Sequence, residues 1–169
     1  MQEDKCCRKC DPQLEVDVID APLEAVNTLT LNEAFTRDER YELLLNLMRD
    51  KVLLIDGGMG TSLQAENLIP DDFGGEELDG CNENLVLTRP ELIQSIHEDY
   101  FKAGADIVET NSFGSTPLVM SEYDLQDKAL QISKVSAELA RRAADNYSTE
   151  EHPRFVAGSI GPTTKAISV

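Results

Sequence analysis

Short runs of apolar residues alternate along this chain with longer stretches in which apolar residues recur every three or four positions. The short runs cover residues 52–55, 105–109 and 155–159, and each has the length and composition of a buried β-strand. Between them lie two segments with helical periodicity. Strand, helix, strand, helix, strand is the order of an α/β fold, and connections of this length make the three strands parallel.

A helix is predicted to precede the first strand. Thr36 can cap its first turn, and Glu39 stands three residues later, where its side chain completes a capping box. The apolar residues of this helix recur on one face, which we expect to pack against the bottom of the sheet. These residues are Tyr41, Leu44, Leu47 and Met48.

The second helix is predicted to begin at Thr88, with Pro90 in its first turn and Glu91 three residues after the cap. Gly104 suits its C-terminal cap. Its buried face is expected to contain Leu92, Ile93, Ile96, Tyr100 and Phe101. His97 lies beside this face, and a single histidine there is predicted to be a surface or boundary residue. A third helix is predicted over residues 125–146.

Polar residues and glycines follow each predicted strand. Asp56 and a run of glycines end the first strand, residues 109–115 follow the second, and residues 160–163 follow the third. The carboxyl ends of parallel strands are where α/β proteins place ligands. The first turn lacks the third glycine of a dinucleotide fingerprint and the lysine of a phosphate-binding loop. It is therefore either a ligand-binding turn of another kind or a turn without a ligand.

The connection over residues 67–87 is long and rich in acids, with Pro70, Gly74, Gly75 and Gly80. Connections of this length without structure of their own usually serve a site or are disordered. Residues 81–84 offer polar groups that this connection could bring over the glycine turn. A solvated loop is the alternative prediction.

Composition limits the function classes. The 169 residues include 15 Lys and Arg against 32 Asp and Glu, a net charge of −17. Nucleic acids and anionic membranes select basic surfaces, so neither is expected as a partner. No run approaches the roughly 18 apolar residues of a spanning helix, and the start of the chain has no signal-peptide pattern. We expect a cytoplasmic protein in which residues 1–35 form a mobile extension.

The chain contains four cysteines, which are Cys6, Cys7, Cys10 and Cys81. The first three are close enough in sequence to offer thiolates to a soft metal. No second pair of Cys or His follows at the spacing of a structural zinc site, so we assign no metal ligand among them. Cys81 is assigned no role.

Several motifs together resemble the homocysteine S-methyltransferase family. They are Asp-Gly-Gly-Met-Gly-Thr at residues 56–61, Glu-Thr-Asn-Ser-Phe at 109–113 and Gly-Pro-Thr at 161–163. The segments 80–90 and 104–109 are more similar to the cobalamin-dependent methionine synthases than to members that use betaine or S-methylmethionine. The resemblance covers about residues 36–169.

The resemblance implies an eight-stranded (β/α) barrel that binds homocysteine at the C-terminal ends of its strands. The substrate-binding residues expected from it are Asp56, Gly57, Gly58, Met59, Asn111 and Phe113. The glycine turn would approach the amino acid end of homocysteine, and Asn111 and Phe113 would line the mouth. A carboxylate and backbone N–H groups suit an ammonium and a carboxylate, and we expect Asp56 to bind the ammonium.

The resemblance also implies cofactors. Zinc held by three cysteine thiolates would activate the thiol of homocysteine, and cobalamin and methyltetrahydrofolate would act through further modules. In the family these cysteines lie on later strands, so no residue of this sequence is assigned as a catalytic group or zinc ligand.

Three strands cannot close an eight-stranded barrel. Residues 36–169 are therefore expected to form the N-terminal part, about three βα units, of a barrel completed by a longer parent. This polypeptide alone is expected to transfer no methyl group. A stand-alone module that binds an amino acid or another protein, or a nonfunctional remnant, are the alternatives.

Overall fold

The computed structural model describes residues 36–163, which form a helix-rich α/β fold with a small parallel sheet. The α-helices are α1 Arg37–Asp50, α2 Met59–Ala65, α3 Pro70–Phe73, α4 Leu85–Thr88, α5 Pro90–Ala103, α6 Pro117–Met120 and α7 Ala129–Tyr147. The strands are β1 Ile107–Glu109 and β2 Phe155–Ala157, and 3-10 turns lie at Glu76–Leu78, Asn82–Asn84, Ser121–Tyr123 and Gln126–Lys128. The extension predicted for residues 1–35, with Cys6, Cys7 and Cys10, lies outside the described residues.

The sheet is parallel, as the sequence predicts. β1 pairs with β2 in the register Ile107 to Phe155, and Ile55 forms a parallel bridge with Ile107 on the other side of β1. The backbone N–H of Asp56 donates to the Ile107 carbonyl at 2.9 Å. The first predicted strand is therefore reduced to a single bridge, and the spatial order is residue 55, β1, β2.

The predicted burial of the first strand is wrong within residues 36–163. Val52 is 84% exposed, and Leu54 and Ile55 are more than half exposed. α1 begins with the predicted capping box, but it contains no buried residue, and its apolar Tyr41 and Met48 are about 60% exposed. Leu44 and Leu47 on the same face are half-buried, and Arg40 and Leu43 line a cavity with Phe155 at the amino end of β2. The packing of α1 against the bottom of the sheet therefore stays a prediction.

One buried carboxylate connects the beginnings of all three strands. Asp106, just before β1, accepts hydrogen bonds from the Leu54 backbone N–H at 2.8 Å, Lys51 Nζ at 3.0 Å and His152 Nε2 at 2.9 Å. Burial alone would raise the pKa of Asp106, but these hydrogen bonds outweigh it and the pKa is lowered. Asp106 therefore fixes residues 51–54 and residue 152 to the start of β1.

The core lies between α5 and α7 and continues under the sheet. Ile93 of α5 and Ile132 of α7 are fully buried in one apolar cluster, and Phe101 and Val108 belong to a second cluster with the alanines of α7. Most of the predicted face of α5 is buried. α7 begins at Ala129 rather than at 125, because residues 126–128 form a 3-10 turn.

The two ends of α5 give different outcomes. Gly104 adopts the left-handed conformation, with φ 110°, and caps the helix as predicted, while Pro90 occupies the first turn. Thr88 does not cap α5, because it is the last residue of α4. The N-cap is Arg89, which makes no side-chain cap, and its guanidinium forms an ion pair with Asp72.

The connection over residues 67–87 is folded, so the solvated-loop prediction is wrong. Phe73, Cys81, Leu85 and Val86 are buried in the main apolar cluster. The buried Asn84 supports the turn, since its Nδ2 donates to the Phe73 carbonyl at 2.7 Å. The short helices of this segment are built by tertiary contacts rather than by a long periodic pattern.

His97 is fully buried, contrary to its predicted surface position. Neither ring nitrogen has a hydrogen-bond partner in the described part of the chain. Burial lowers the pKa of His97 to about 4, because the apolar surroundings disfavour the charged ring. The ring is therefore neutral at pH 7.

Candidate functional site

An open cavity of about 430 Å³ lies at the carboxyl ends of the strands. Its wall contains all six residues predicted to bind substrate. The lining consists of Ile55, Asp56, Gly57, Gly58, Met59, Gly60, Asn82, Glu83, Glu109, Thr110, Asn111, Phe113 and Ser159. The fold thus brings the three strand ends together as predicted, whereas the binding roles of these residues stay predictions.

Asp56 is half-buried between the first strand and β1. Its Oδ2 accepts a hydrogen bond from the Glu109 backbone N–H at 3.0 Å. Burial raises the pKa of Asp56 to about 6, and the neighbouring Glu109 carboxylate adds to the rise although the N–H of that residue opposes it. An approaching cation would favour the ionised form, so this group can respond to an ammonium at neutral pH.

The glycine turn brings backbone close to the cavity. A Cβ atom on Gly57 would lie 3.0 Å from the Tyr100 hydroxyl. Gly58 is the N-cap of α2 and contributes no side chain. Among residues 36–163, no acceptor takes a hydrogen bond from the backbone N–H of Gly57 or Gly58. These two donors are therefore available to a ligand in the cavity.

A hydroxyl network joins the ends of β1 and β2. Thr110 Oγ1 lies 2.6 Å from Ser112 Oγ and accepts from the Ser159 backbone N–H at 2.9 Å. Ser112 Oγ in turn donates to the Ser159 carbonyl at 2.9 Å. Ser159 Oγ donates to Glu109 Oε2 at 3.3 Å. These contacts fix the exposed Glu109 side chain at the rim of the cavity.

The 3-10 turn Asn82–Asn84 supplies a second wall. The buried Asn111 donates from Nδ2 to the Asn82 carbonyl at 2.9 Å. Glu83 Oε1 accepts from the Gly114 backbone N–H at 2.8 Å. Two hydrogen bonds thus attach the loop after β1 to this turn. Asn111 thus contributes one of its two Nδ2 hydrogens to the wall, and its role toward a ligand stays a prediction.

Phe113 presents an aromatic ring at the mouth, where it is 57% exposed. The Gly161 N–H donates to the Phe113 carbonyl at 2.8 Å. A Cβ atom on Gly161 would lie 2.6 Å from the Phe113 ring, so only glycine allows this close approach. The third strand end therefore holds the ring in place.

Carboxylates dominate the charge of the cavity. Asp56, Glu83 and Glu109 line it, and the part of the lining that residues 36–163 provide includes no Lys, Arg or His. Sequence reasoning selected only Asp56 among these acids. Glu109 could have been selected as the last residue of a strand. Glu83 belongs to residues 81–84, whose polar groups were expected over the glycine turn in one of the two predictions for this connection. The arrangement suits a ligand with an ammonium group.

No three His, Cys, Asp or Glu side chains within residues 36–163 lie close enough to hold a metal ion. Cys81 is fully buried, and burial raises the pKa of its thiol, which opposes formation of a thiolate. The described segment therefore does not form a zinc site of its own. None of its helices is long and apolar enough to cross a membrane.

Two methionine synthases are similar to this chain. That of Mycobacterium leprae is 48% identical over 122 residues, and that of Mycobacterium tuberculosis is 46% identical over the same length. The aligned region is 72% of this chain but only 10% of either relative. The chain thus spans about a tenth of the length of these curated relatives.

Solved structures give the same result for the fold. The homocysteine methyltransferase MmuM from Escherichia coli, in its metallated form, aligns with a TM-score of 0.58 and 31% identity over 70% of this chain and 41% of that protein. Its oxidised form aligns with the same score and 32% identity, over 70% of this chain and 40% of that protein. The small parallel sheet and its helices are therefore similar to the fold of that enzyme.

A sequence model of the family described as Homocysteine S-methyltransferase matches residues 53–169. The match covers more than half of the chain and begins beside the glycine turn. It includes all three strand ends that form the cavity. This chain belongs to the homocysteine S-methyltransferase family.

Proposed function

We propose that the cavity binds the amino acid end of L-homocysteine, as part of a methionine-synthase-type unit that methylates the homocysteine sulfur. One observation carries the proposal. Within residues 36–163, the cavity combines three carboxylates with two backbone donors that no acceptor takes, and no basic side chain lines it. An ammonium and a carboxylate on the same carbon match acids on one side and N–H groups on the other.

Asp56 and Glu109 are the proposed partners of the ammonium. Asp56 already accepts the Glu109 backbone N–H, whereas the exposed Glu109 side chain accepts, among residues 36–163, only from Ser159. Glu109 Oε1 is therefore the carboxylate oxygen proposed to meet the ammonium at the rim. The backbone N–H groups of Gly57 and Gly58 are the proposed donors to the carboxylate.

Met59 and Phe113 are proposed to contact the apolar part of homocysteine. Met59 is partly buried against the main apolar cluster, and Phe113 is exposed at the mouth. Asn111 has a supporting part in this proposal, since its amide holds the Asn82 turn. The methylenes of the ligand would then lie between an apolar wall and the acids.

Zinc, cobalamin and methyltetrahydrofolate have no assigned residues here. When bound, zinc supplies activation of the homocysteine thiol in this family, but residues 36–163 do not offer the ligands for it. The proposed contacts with homocysteine involve none of these groups. We propose that the 169-residue polypeptide binds homocysteine without transferring a methyl group.

We also propose that residues 36–169 are the first part of a barrel completed by further strands. The exposed apolar side chains Val52, Ile55 and Ile160 favour this arrangement, because isolated sheets rarely leave such residues uncovered. Pairing with another protein through the same surface is the alternative. Both arrangements leave the proposed ligand contacts unchanged.

Calorimetric titration with L-homocysteine tests the proposed ligand. Glu109→Gln and Asp56→Asn should each weaken binding, by roughly 10-fold for loss of a charge-assisted hydrogen bond. Glu122→Gln, at an exposed turn outside the cavity, is the matched control. The des-amino analogue of homocysteine should bind far more weakly than homocysteine. The proposal would be refuted if the analogue bound as tightly as homocysteine. It would also be refuted if the double variant Asp56→Asn with Glu109→Gln bound homocysteine as tightly as the wild-type protein.

A further inference from the structure

A second cavity, of about 330 Å³, lies at the amino ends of the strands, away from the cavity just described. Its lining consists of Arg40, Leu43, Arg141, Asp145, Ser148, Thr149, Glu150, Pro153, Arg154 and Phe155. Three guanidinium groups meet here in a chain whose net charge is −17. This local excess of arginine is the feature that requires an explanation.

Arg141 and Arg154 are each held in place by hydrogen bonds to neighbouring residues. Arg141 donates from Nε and Nη2 to Asp145 at 2.8 and 2.7 Å, and from Nη2 to the Arg154 carbonyl at 3.4 Å. Arg154 is 8% exposed and donates from Nη1 to the Ala105 carbonyl and from Nε to the Tyr147 carbonyl. Among residues 36–163, no acceptor is bonded to Arg141 Nη1 or Arg154 Nη2. A guanidinium carries five N–H donors in a fixed plane, so these groups can still bind an oxyanion.

The charges in this cavity favour an anion. Three guanidinium groups face two carboxylates, those of Asp145 and Glu150. Burial and then the charge of Arg141 lower the pKa of Arg40, so the two arginines repel each other. The bond from Arg154 to the Tyr147 carbonyl also satisfies part of the negative end of α7.

The remaining wall defines the class of anion. Leu43, Pro153 and Phe155 provide apolar surface. Ser148 Oγ accepts the Arg154 backbone N–H at 2.9 Å, so its own hydrogen remains available to donate. We infer that this cavity binds a small organic oxyanion, a carboxylate or a phosphate ester on an apolar body, between Arg141, Arg154 and the apolar wall.

A purely structural role for the arginines makes a different prediction. If Arg141 serves only to hold Asp145 within α7, removal of the Asp145 charge does not increase the affinity for any anion. If the cavity binds an oxyanion, Asp145 competes with that anion for Arg141. The variant Asp145→Asn therefore separates the two roles by the direction of its effect.

Calorimetry on the 169-residue chain, with benzoate, phenyl phosphate and inorganic phosphate as probes, tests this inference. Benzoate or phenyl phosphate should bind saturably, and inorganic phosphate, which lacks the apolar body, more weakly. Arg141→Gln should weaken binding about 10-fold, and Asp145→Asn should strengthen it. Arg142→Gln, next along α7 and outside the cavity, should leave the affinity unchanged. The preferred probe separates a carboxylate site from a phosphate site.

Three results would overturn the inference: no saturable binding of any probe, equal weakening by Arg142→Gln, or weaker binding to Asp145→Asn. Thermal unfolding without probe checks that each variant keeps its fold. The probes are titrated in the absence of homocysteine, so this result does not depend on the first cavity.

Discussion

The hydroxyl of Tyr100 lies 3.0 Å from the position that a Cβ atom on Gly57 would take. The other ring atoms near this position are Cε1 and Cζ, at 3.5 and 3.6 Å, which is ordinary contact. The Tyr100 hydroxyl is therefore the atom that limits the size of a side chain at residue 57. Any side chain at residue 57 must move either Tyr100 or the turn.

Gly57→Ala should weaken homocysteine binding and destabilise the fold by about 1 kcal/mol, because the added methyl group crowds the Tyr100 hydroxyl. Tyr100→Phe in the same chain should restore both properties, since it removes the crowded atom. Gly158→Ala is the matched control, because nothing lies within 4 Å of its Cβ position and Gly158 does not line the cavity. Calorimetry and urea unfolding measure the two effects. Failure of the double variant to recover would contradict the packing explanation.

Asp56→Asn should stabilise the fold above about pH 6. The pKa of Asp56 is raised to about 6, so the folded state binds a proton more tightly than the unfolded chain. That contribution is present at low pH and is lost as pH rises through 6. Asparagine keeps the acceptor for Glu109 without the charge. The gain should be on the order of 1 kcal/mol or less, given solvent screening, and it should vanish near pH 4.

Urea unfolding of the wild-type protein and of Asp56→Asn at pH 4 and pH 7.5 measures the expected gain in stability. The same substitution should weaken homocysteine binding, so stability and affinity change in opposite directions. A variant that loses both would instead indicate that the Asp56 carboxylate is needed for the fold.

His97→Leu should remove a pH-dependent loss of stability. The folded pKa of His97, about 4, lies below its ordinary value of 6.5, so the buried ring stabilises the fold only while neutral. Stability falls as pH drops from 6.5 toward 4, by roughly 3 kcal/mol for the full shift. Urea unfolding at pH 7.5 and pH 4.5 should show a smaller difference between the two values in the variant. An unchanged difference would show that other groups cause the loss.

The titration of Asp56 changes the free energy of unfolding in the opposite direction over the same pH range. Each variant is therefore compared with the wild-type protein across the whole range of pH. In the double variant Asp56→Asn with His97→Leu, neither titration should contribute to the pH dependence of the free energy of unfolding. Additive effects are expected because Asp56 lines the cavity at the strand ends, whereas the buried His97 ring on α5 has no hydrogen-bond partner among residues 36–163.

Glu83→Ala should weaken homocysteine binding about 10-fold, because it removes the acceptor for the Gly114 backbone N–H and loosens the loop that carries Phe113. Glu83→Gln keeps an acceptor oxygen and should retain most of the affinity. If both variants lose affinity equally, the charge of Glu83 rather than its hydrogen bond supports the ligand. Calorimetry with L-homocysteine distinguishes the two cases.

The parts of the fold that were predictable from sequence depend on local signals. The Thr36 capping box, the left-handed Gly104 and the polar strand ends are each encoded within a few residues. The adjacency of the three strand ends followed from parallel topology, so Asp56 and Asn111 were placed in one cavity correctly. Glu83 lies in the cavity wall, in agreement with the prediction that residues 81–84 could lie over the glycine turn. Its contact with Gly114 joins segments 31 residues apart and has no local signal in the sequence.

Burial was the less predictable property. His97 and Cys81 are enclosed by elements distant in sequence, and no local pattern shows this. The reverse error affects residues 52–55, whose apolar run predicts burial although residues 36–163 leave it exposed. The helices between residues 70 and 88 are too short to show a helical repeat of apolar residues, so the sequence does not distinguish them from a loop.

The attachment of residues 51–56 has a consequence for dynamics. These residues contact the neighbouring strand through the backbone of Asp106 and Ile107, the side chain of Asp106 and the bond from the Glu109 N–H to Asp56, with one bridge at Ile55. They can therefore open as a local unit while β1 and β2 stay paired. Asp56 belongs to this unit, so a ligand held by Asp56 and Glu109 closes it. Amide hydrogen exchange at Asp56 should then slow on ligand binding more than exchange within β1 and β2, and the ligand would complete the fold locally at its own binding site.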